Sequence, residues 1–285
     1  MGWRARLMGT RRYVVADVFT DTPLTGNQLA VFTDGRDLDD ATMQALALEI
    51  GFSETVFVLP SEAEAHARIR IFSPVAEMPF AGHPTLGAAF VLGAPLQLGV
   101  ILLETGIGVV PVVLERDHSG KLVFGRMEQP VPRVEPFAEI EGLFAALGIE
   151  GSDLPVERYD NGAVHLFVAL PSLEAVAALR PDSAAVARYD VTGINCFAGS
   201  GSEWKTRMFW RHGEDAATGS AAGPLACHLA RHGRIAWGDE IVISQGSEIG
   251  RPSTLYARAE GSTEMIDRVE VGGCAVTVAS GEFRV

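Results

Sequence analysis

Two stretches of the chain, 137 residues apart (207 − 70), carry the same residues at the same spacing. That internal repeat limits what the chain can fold into more than any other feature. Arg70-Ile71-Phe72 aligns with Arg207-Met208-Phe209. The same offset matches Glu77 with Glu214, Gly82 with Gly219, Ala89 with Ala226 and Leu92 with Leu229. Each copy reads as a strand, a short turn, and a glycine that opens an apolar helix. The helix is Pro84-Thr85-Leu86-Gly87-Ala88-Ala89-Phe90-Val91 in the first copy and Ala221-Ala222-Gly223-Pro224-Leu225-Ala226-Cys227 in the second. A helix that is apolar on nearly every side must be buried on every side. The expected fold is therefore α+β, with two pseudo-symmetric halves, each a mixed or antiparallel sheet wrapped around one central apolar helix. Pro130, Pro132 and Pro136 fall close together and mark the expected boundary. It divides the chain into an N-terminal half, 1–128, and a C-terminal half, 129–285.

Local patterns fill in the first half. Met43, Leu46, Ala47 and Ile50 form the stripe of an amphipathic helix over residues 37–50, with Asp37 to cap it and Gly51 to end it. The β-rich run Phe52-Ser53-Glu54-Thr55-Val56-Phe57-Val58 follows. Residues 67–72 and 122–124 read as further strands.

Charge narrows the function. The formal net charge is −13, and removing the four arginines of the first twelve residues leaves −17. So acidic a chain repels phosphate backbones, so no nucleic-acid partner is expected. An acidic metabolite remains admissible if local dipoles outweigh the global field. Residues 1–12 read as a loose basic arm, since no apolar segment follows them as in a secretory signal. No run of about 18 apolar residues exists to span a membrane. Cys196, Cys227 and Cys274 are far apart and odd in number, which fits reduced thiols in the cytoplasm.

Four blocks carry a wider resemblance. They are Asp17-Val18-Phe19 with Gly26-Asn27, then Gly51-Phe52-Ser53-Glu54-Thr55-Val56-Phe57-Val58, then Phe80-Ala81-Gly82-His83-Pro84-Thr85-Leu86-Gly87, and Gly213-Glu214-Asp215-Ala216-Ala217-Thr218-Gly219-Ser220-Ala221. Lesser matches are Glu104-Thr105-Gly106, Asn161-Gly162, Gln245-Gly246 and Gly250-Arg251-Pro252-Ser253. Together they resemble the phenazine-biosynthesis PhzF-like family from about Tyr13 to the C-terminus. The resemblance implies the diaminopimelate-epimerase fold, with the active site in the cleft between two halves and a last strand that can pack back on the first half. It also implies a homodimer and a cofactor-independent isomerase that moves a proton on a small acidic metabolite. Glu54 then matches the catalytic carboxylate, and His83 and Asp215 its supporting pair. Asn27, Ser53, Gly82, Thr218, Gly219 and Ser220 fall on the substrate-binding segments.

The residues themselves allow that chemistry. Phe52, Val56 and Phe57 flank Glu54, and burial raises a carboxyl pKa towards neutrality, where it can take and return a proton. On sequence alone the plainer reading is a Glu at a strand end facing water. His83 precedes Pro84, a residue suited to a helix's first turn, and Ser220 holds the equivalent place as an N-cap. Two glycine-lined helix N-termini brought face to face would offer N–H groups to a carboxylate. The plain alternatives are a structural cap, a turn histidine, and a solvated acidic pair at Glu214-Asp215.

Other patterns point away from metals and cofactors. His228 and His232 have a metal-binding spacing, but no Glu follows His228, so no metal is expected. Gly106-Ile107-Gly108 lacks the third glycine of a dinucleotide fingerprint. Two rivals remain. A racemase or epimerase on the same fold needs two opposed thiols, and no cysteine lies in either helix-opening turn. A non-catalytic binding or scaffold protein is the other.

Overall fold

The computed structural model describes residues 9–211 and 213–285. The first part of the chain forms β1 (Thr10–Val18), β2 (Asn27–Phe32), α1 (Asp40–Ile50), β3 (Glu54–Leu59), β4 (Ala67–Phe72), β5 (Glu77–Met78), α2 (Gly82–Leu96), β6 (Val100–Thr105), β7 (Gly108–Arg116) and β8 (Leu122–Gln129). The second forms β9 (Arg133–Pro136), α3 (Ile140–Leu147), β10 (Glu157–Asp160), β11 (Val164–Ala169), α4 (Leu173–Ala178), α5 (Ser183–Val186), β12 (Gly193–Ser200), β13 (Glu203–Trp210), β14 (Gly213–Asp215), α6 (Gly219–Arg231), β15 (Glu240–Gln245), β16 (Ser253–Gly261), β17 (Ile266–Gly273) and β18 (Ala275–Arg284). The molecule is thus a mixed α/β fold with a large mixed sheet and few helices.

Pairing follows one pattern twice. β2 and β3 are parallel, β3 and β4 antiparallel, and β4 holds β5 antiparallel and β6 parallel. Likewise β11 and β12 are parallel, β12 and β13 antiparallel, and β13 holds β14 antiparallel and β15 parallel. The repeated residues explain why. Arg70 makes a bidentate pair with Glu77 at 2.7 and 2.6 Å, and Arg207 makes the same pair with Glu214 at 2.8 and 2.7 Å. Each arginine also lies over the phenylalanine two residues on, at 5.1 and 4.9 Å. The second copy is the buried one. Arg207 there also donates to the carbonyls of Val176, Ala177 and Leu179, satisfying the end of α4.

α2 and α6 are the buried helices. Gly82 to Phe90 of α2 and Gly219 to Ala230 of α6 are shielded from solvent, as their all-round apolarity requires. One hydrophobic cluster runs through both, from Val18, Leu29 and Leu86 to Leu225, Leu255 and Val271. Two strands link the parts: β8 pairs with β17, and β18 pairs with β1 along its length. Among the described residues no helix is long and apolar enough to cross a membrane.

Three local expectations change. Asp39, not Asp37, caps α1 through its side chain to the Thr42 N–H at 2.9 Å; Gly51 ends it in the left-handed region as expected. Thr10, Arg11 and Arg12 of the supposed arm open β1, pairing with Arg284, Phe283 and Glu282, while residues 1–8 lie outside the described residues. Pro136 closes β9 rather than lying in a linker, and β8 reaches Gln129.

The two buried helices meet end to end at their first glycines. A Cβ on Gly82 would stand 2.8 Å from the Gly219 carbonyl carbon and 2.9 Å from the Ser220 nitrogen. These are backbone atoms and cannot swing aside. Gly82→Ala is therefore expected to lower stability by about 1–3 kcal/mol through overpacking, read as a fall in denaturation midpoint at unchanged m-value. Parental stability would show that the helices do not meet this closely.

Candidate active site

A cavity of about 380 Å³ opens where α2 and α6 meet. Glu54, at the start of β3, and Ser53 just before it line its wall, and α2 supplies Gly82 and His83. The end of β14 supplies Asp215, the cap of α6 supplies Thr218, and its first turn supplies Gly219 and Ser220. Neither helix has a side-chain cap on its first-turn N–H groups, at Ala81 or at Thr218. Both positive helix ends therefore face the cavity. Ser220 is not the N-cap expected of it. It sits inside the first turn, and its hydroxyl meets His165 Nε2 at 2.9 Å.

Three titratable groups gather in this wall. Glu54 Oε2 and His83 Nε2 face each other at 3.4 Å, and both atoms are buried without a hydrogen bond. Polar atoms left so are costly unless a ligand satisfies them. Burial raises the Glu54 carboxyl to about 7, slightly offset by Ser53. Burial pushes His83 down to about 4, opposed by the Asp215 charge. Asp215 is raised to about 6, first by burial and then by the Glu54 charge. At neutral pH the imidazole is therefore uncharged, Asp215 is held ionised by its donors, and Glu54 stands between its two forms. Those donors are Thr218 Oγ1 at 2.7 Å and Asn27 Nδ2 at 2.9 Å.

Asn27, expected to touch substrate, stands behind the wall rather than in it. Its two amide hydrogens are used at 2.9 Å on Asp215 and on the Ala217 carbonyl, and its oxygen accepts from Ser53 Oγ at 3.3 Å. The lesser motif residues also hold backbone. Gln245 bonds Asp215 O, Thr218 N and Thr218 Oγ1. Asn161 Nδ2 donates to Ser220 O, and Arg251 ties Asp17 to the Thr25 and Gly26 carbonyls. His165 and Asn195, beneath Ser220, escaped sequence reading because single polar residues inside apolar strands carry no local signal.

The pairing register refines the repeat. Thr55 faces Phe72 and Ile194 faces Phe209. Since Phe72 and Phe209 are repeat mates, the counterpart of Glu54 is Gly193, not Val191 as the sequence offset gives. Neither is a carboxylate, and a side chain at Gly193 would collide with Met208.

Among the described residues one cluster has metal-ligand proximity: Glu157, His228 and His232, at the far end of α6. Both histidines hydrogen-bond Glu157 Oε2, at 3.2 and 3.0 Å, and Tyr159 donates to it at 2.9 Å. Arg231 approaches the same carboxylate at 3.5 Å. A guanidinium there opposes a divalent cation, and His228 Nε2 lacks the outer partner that metal-bound histidines have.

Comparison with known proteins places this geometry. The family model described as phenazine biosynthesis-like protein matches residues 16–281. The chain belongs to the phenazine biosynthesis-like family. It is 51% identical over 273 residues to a trans-2,3-dihydro-3-hydroxyanthranilate isomerase of Pseudomonas aeruginosa, covering 95% of this chain and 98% of that one. At this likeness the chain is an enzyme, an isomerase of the family. A Bacillus anthracis phenazine biosynthesis protein of the PhzF family superposes with a TM-score of 0.85 at 26% identity, over 98% of this chain and all of that one. A hydroxyproline epimerase from Agrobacterium vitis shares the fold alone, with a TM-score of 0.65 at 12% identity over 100% and 94% of the two chains.

The Glu54 environment has a thermodynamic signature. Its folded-state pKa lies above the ordinary 4.5, so the stability it contributes is lost as pH rises through about 7. Glu54→Gln removes that loss. The variant is expected to gain about 2–3 kcal/mol over the parent at pH 8 but not at pH 4, measured by denaturant unfolding at both pH values. Equal differences at both would contradict a buried, proton-seeking Glu54.

Proposed function

We propose that this isomerase shifts a proton on a small cyclic acid, trans-2,3-dihydro-3-hydroxyanthranilate or a close analogue, with Glu54 as sole acid and base. The observation that carries the reading is one buried, cavity-lining carboxyl, raised to about 7, with an oxygen that has no hydrogen-bond partner. In its ionised form Glu54 takes a proton from one ring carbon, and the C–H electron pair enters the unsaturated system. The carboxylic acid then returns the proton to another carbon on the same face. Electrons and atoms balance without an oxidant. Neutral His83 and ionised Asp215 position and tune Glu54, while the helix ends at Gly82, Gly219 and Ser220, with Thr218 and Ser53, hold the substrate. Asn27 acts by fixing Asp215.

The two-thiol rival finds no support in the site. Cys196 and Cys227 are buried, and none of the three cysteines is among the cavity-lining residues. Burial raises all three thiols, the reverse of what proton abstraction needs.

We further propose that the two parts, 1–128 and 129–285, are duplicated pseudo-symmetric halves. The equivalent ion pairs and the matching strand order support this. The family resemblance supports a homodimer, and the unpaired cysteines support a reducing cytoplasm.

Glu54→Gln is expected to lower turnover of trans-2,3-dihydro-3-hydroxyanthranilate by about a hundred- to ten-thousand-fold, with affinity within a few-fold. His83→Ala and Asp215→Asn are expected to cost less. In the parent, kcat/KM is expected to fall as pH drops below about 7, where Glu54 takes up its proton. Full turnover by Glu54→Gln, together with loss on substituting a cysteine, would defeat the one-carboxylate reading.

A further inference from the structure

Ser220 lines the cavity, and its hydroxyl is the outer end of a chain of buried polar groups that the reaction scheme leaves unused. His165 on β11 and Asn195 on β12 are both shielded from solvent and lie beneath it. Asn195 Nδ2 stands 3.3 Å from the Leu166 carbonyl and 3.3 Å from His165 Nδ1. A carbonyl only accepts, so the amide end facing it is the NH2 group; the reverse placement would set two acceptors against each other. His165 Nδ1 then accepts from the same NH2 and carries no hydrogen. Burial lowers the His165 pKa to about 3, so the ring is neutral and owns a single N–H. That hydrogen is on Nε2, and it donates to Ser220 Oγ across 2.9 Å. The serine hydrogen therefore has no acceptor in His165. It is left to point into the cavity, beside the helix N-termini.

We propose that Leu166 O, Asn195 and His165 form a one-way relay that makes Ser220 an obligate hydrogen-bond donor to the carboxylate of the substrate. His165 and Asn195 are positioning residues, acting only through Ser220. The inference rests on the proposed function in taking this cavity as the site of an acidic substrate. In the opposite tautomer Ser220 would spend its hydrogen on His165 and present only lone pairs, which repel a carboxylate. The relay thus selects anions at a point where Glu54 and Asp215 would otherwise disfavour them.

Two measurements test it. The first is the tautomer of His165 in the parent protein, read from imidazole nitrogen shifts after histidine 15N labelling. Hydrogen on Nε2 is expected, and hydrogen on Nδ1 would overturn the relay. The second uses anthranilate, a stable aromatic acid, as a binding probe. Ser220→Ala and His165→Leu are each expected to weaken its binding by about ten- to a hundred-fold, the usual worth of a hydrogen bond to a charged group. The double variant is expected to lose no more than either single one. His165→Gln, whose amide N–H reaches the place of Nε2, is expected to bind within a few-fold of the parent. Additive losses, or parental affinity in His165→Leu, would refute the coupling. A parent that fails to bind anthranilate would count against the substrate reading, while the tautomer still decides the relay.

Discussion

The approach of Gly82 to Gly219 decides where everything else in this molecule can sit. Because neither residue has a side chain, two buried helices meet at their N-termini, and no larger residue fits between them. Side-chain amides then hold the junction. Gln129 donates to the Gly219 carbonyl and Asn161 to the Ser220 carbonyl. Both positive helix ends consequently converge on one cavity, which lets a chain of net charge −13 receive an acid. The common hydrophobic cluster around α2 and α6 keeps that convergence rigid.

What the two matching stretches share is scaffold, and where they differ is chemistry. The ion pairs Arg70–Glu77 and Arg207–Glu214 are kept in both copies. Around the cavity the matching positions diverge: Glu54 stands against Gly193, His83 against Ser220, and Met78 against Asp215. One side supplies the carboxyl and the imidazole, the other an ionised carboxylate and a hydroxyl. Burial is the largest cause that separates their protonation states, lifting Glu54 to about 7 and pressing His83 to about 4.

The repeat was legible because Arg-x-Phe and its glutamate lie within eight residues and serve the same local contacts each time. Glu54 was legible through the resemblance of its block to the family, since its apolar neighbours allow burial but by themselves leave a strand-end Glu facing water as the plainer reading. Readings that required knowing which atoms face each other went astray. Ser220 reads as a cap by its place after Gly219, yet Thr218 holds the cap position and the hydroxyl turns to His165. Asn27 sits in a signature block, but its amide faces inward to Asp215 and Ala217. The sequence offset led to Val191 because β12 is displaced by two residues against β3, a shift only strand pairing reveals. His165 and Asn195 were invisible for want of any pattern, as their partners come from α6 and the β11 backbone.

Under the proposed mechanism one carboxyl both removes and returns the proton. The direct measurement is the fate of that proton when the parent enzyme isomerises trans-2,3-dihydro-3-hydroxyanthranilate in deuterated water, with product analysed by NMR. Deuterium is expected only at the receiving carbon, on the face from which the original proton left. Incorporation is expected to be less than full, because a buried carboxyl can hand back the proton it took. Deuterium on the opposite face would require a second acid across the cavity and would rule out a single carboxyl as both acid and base.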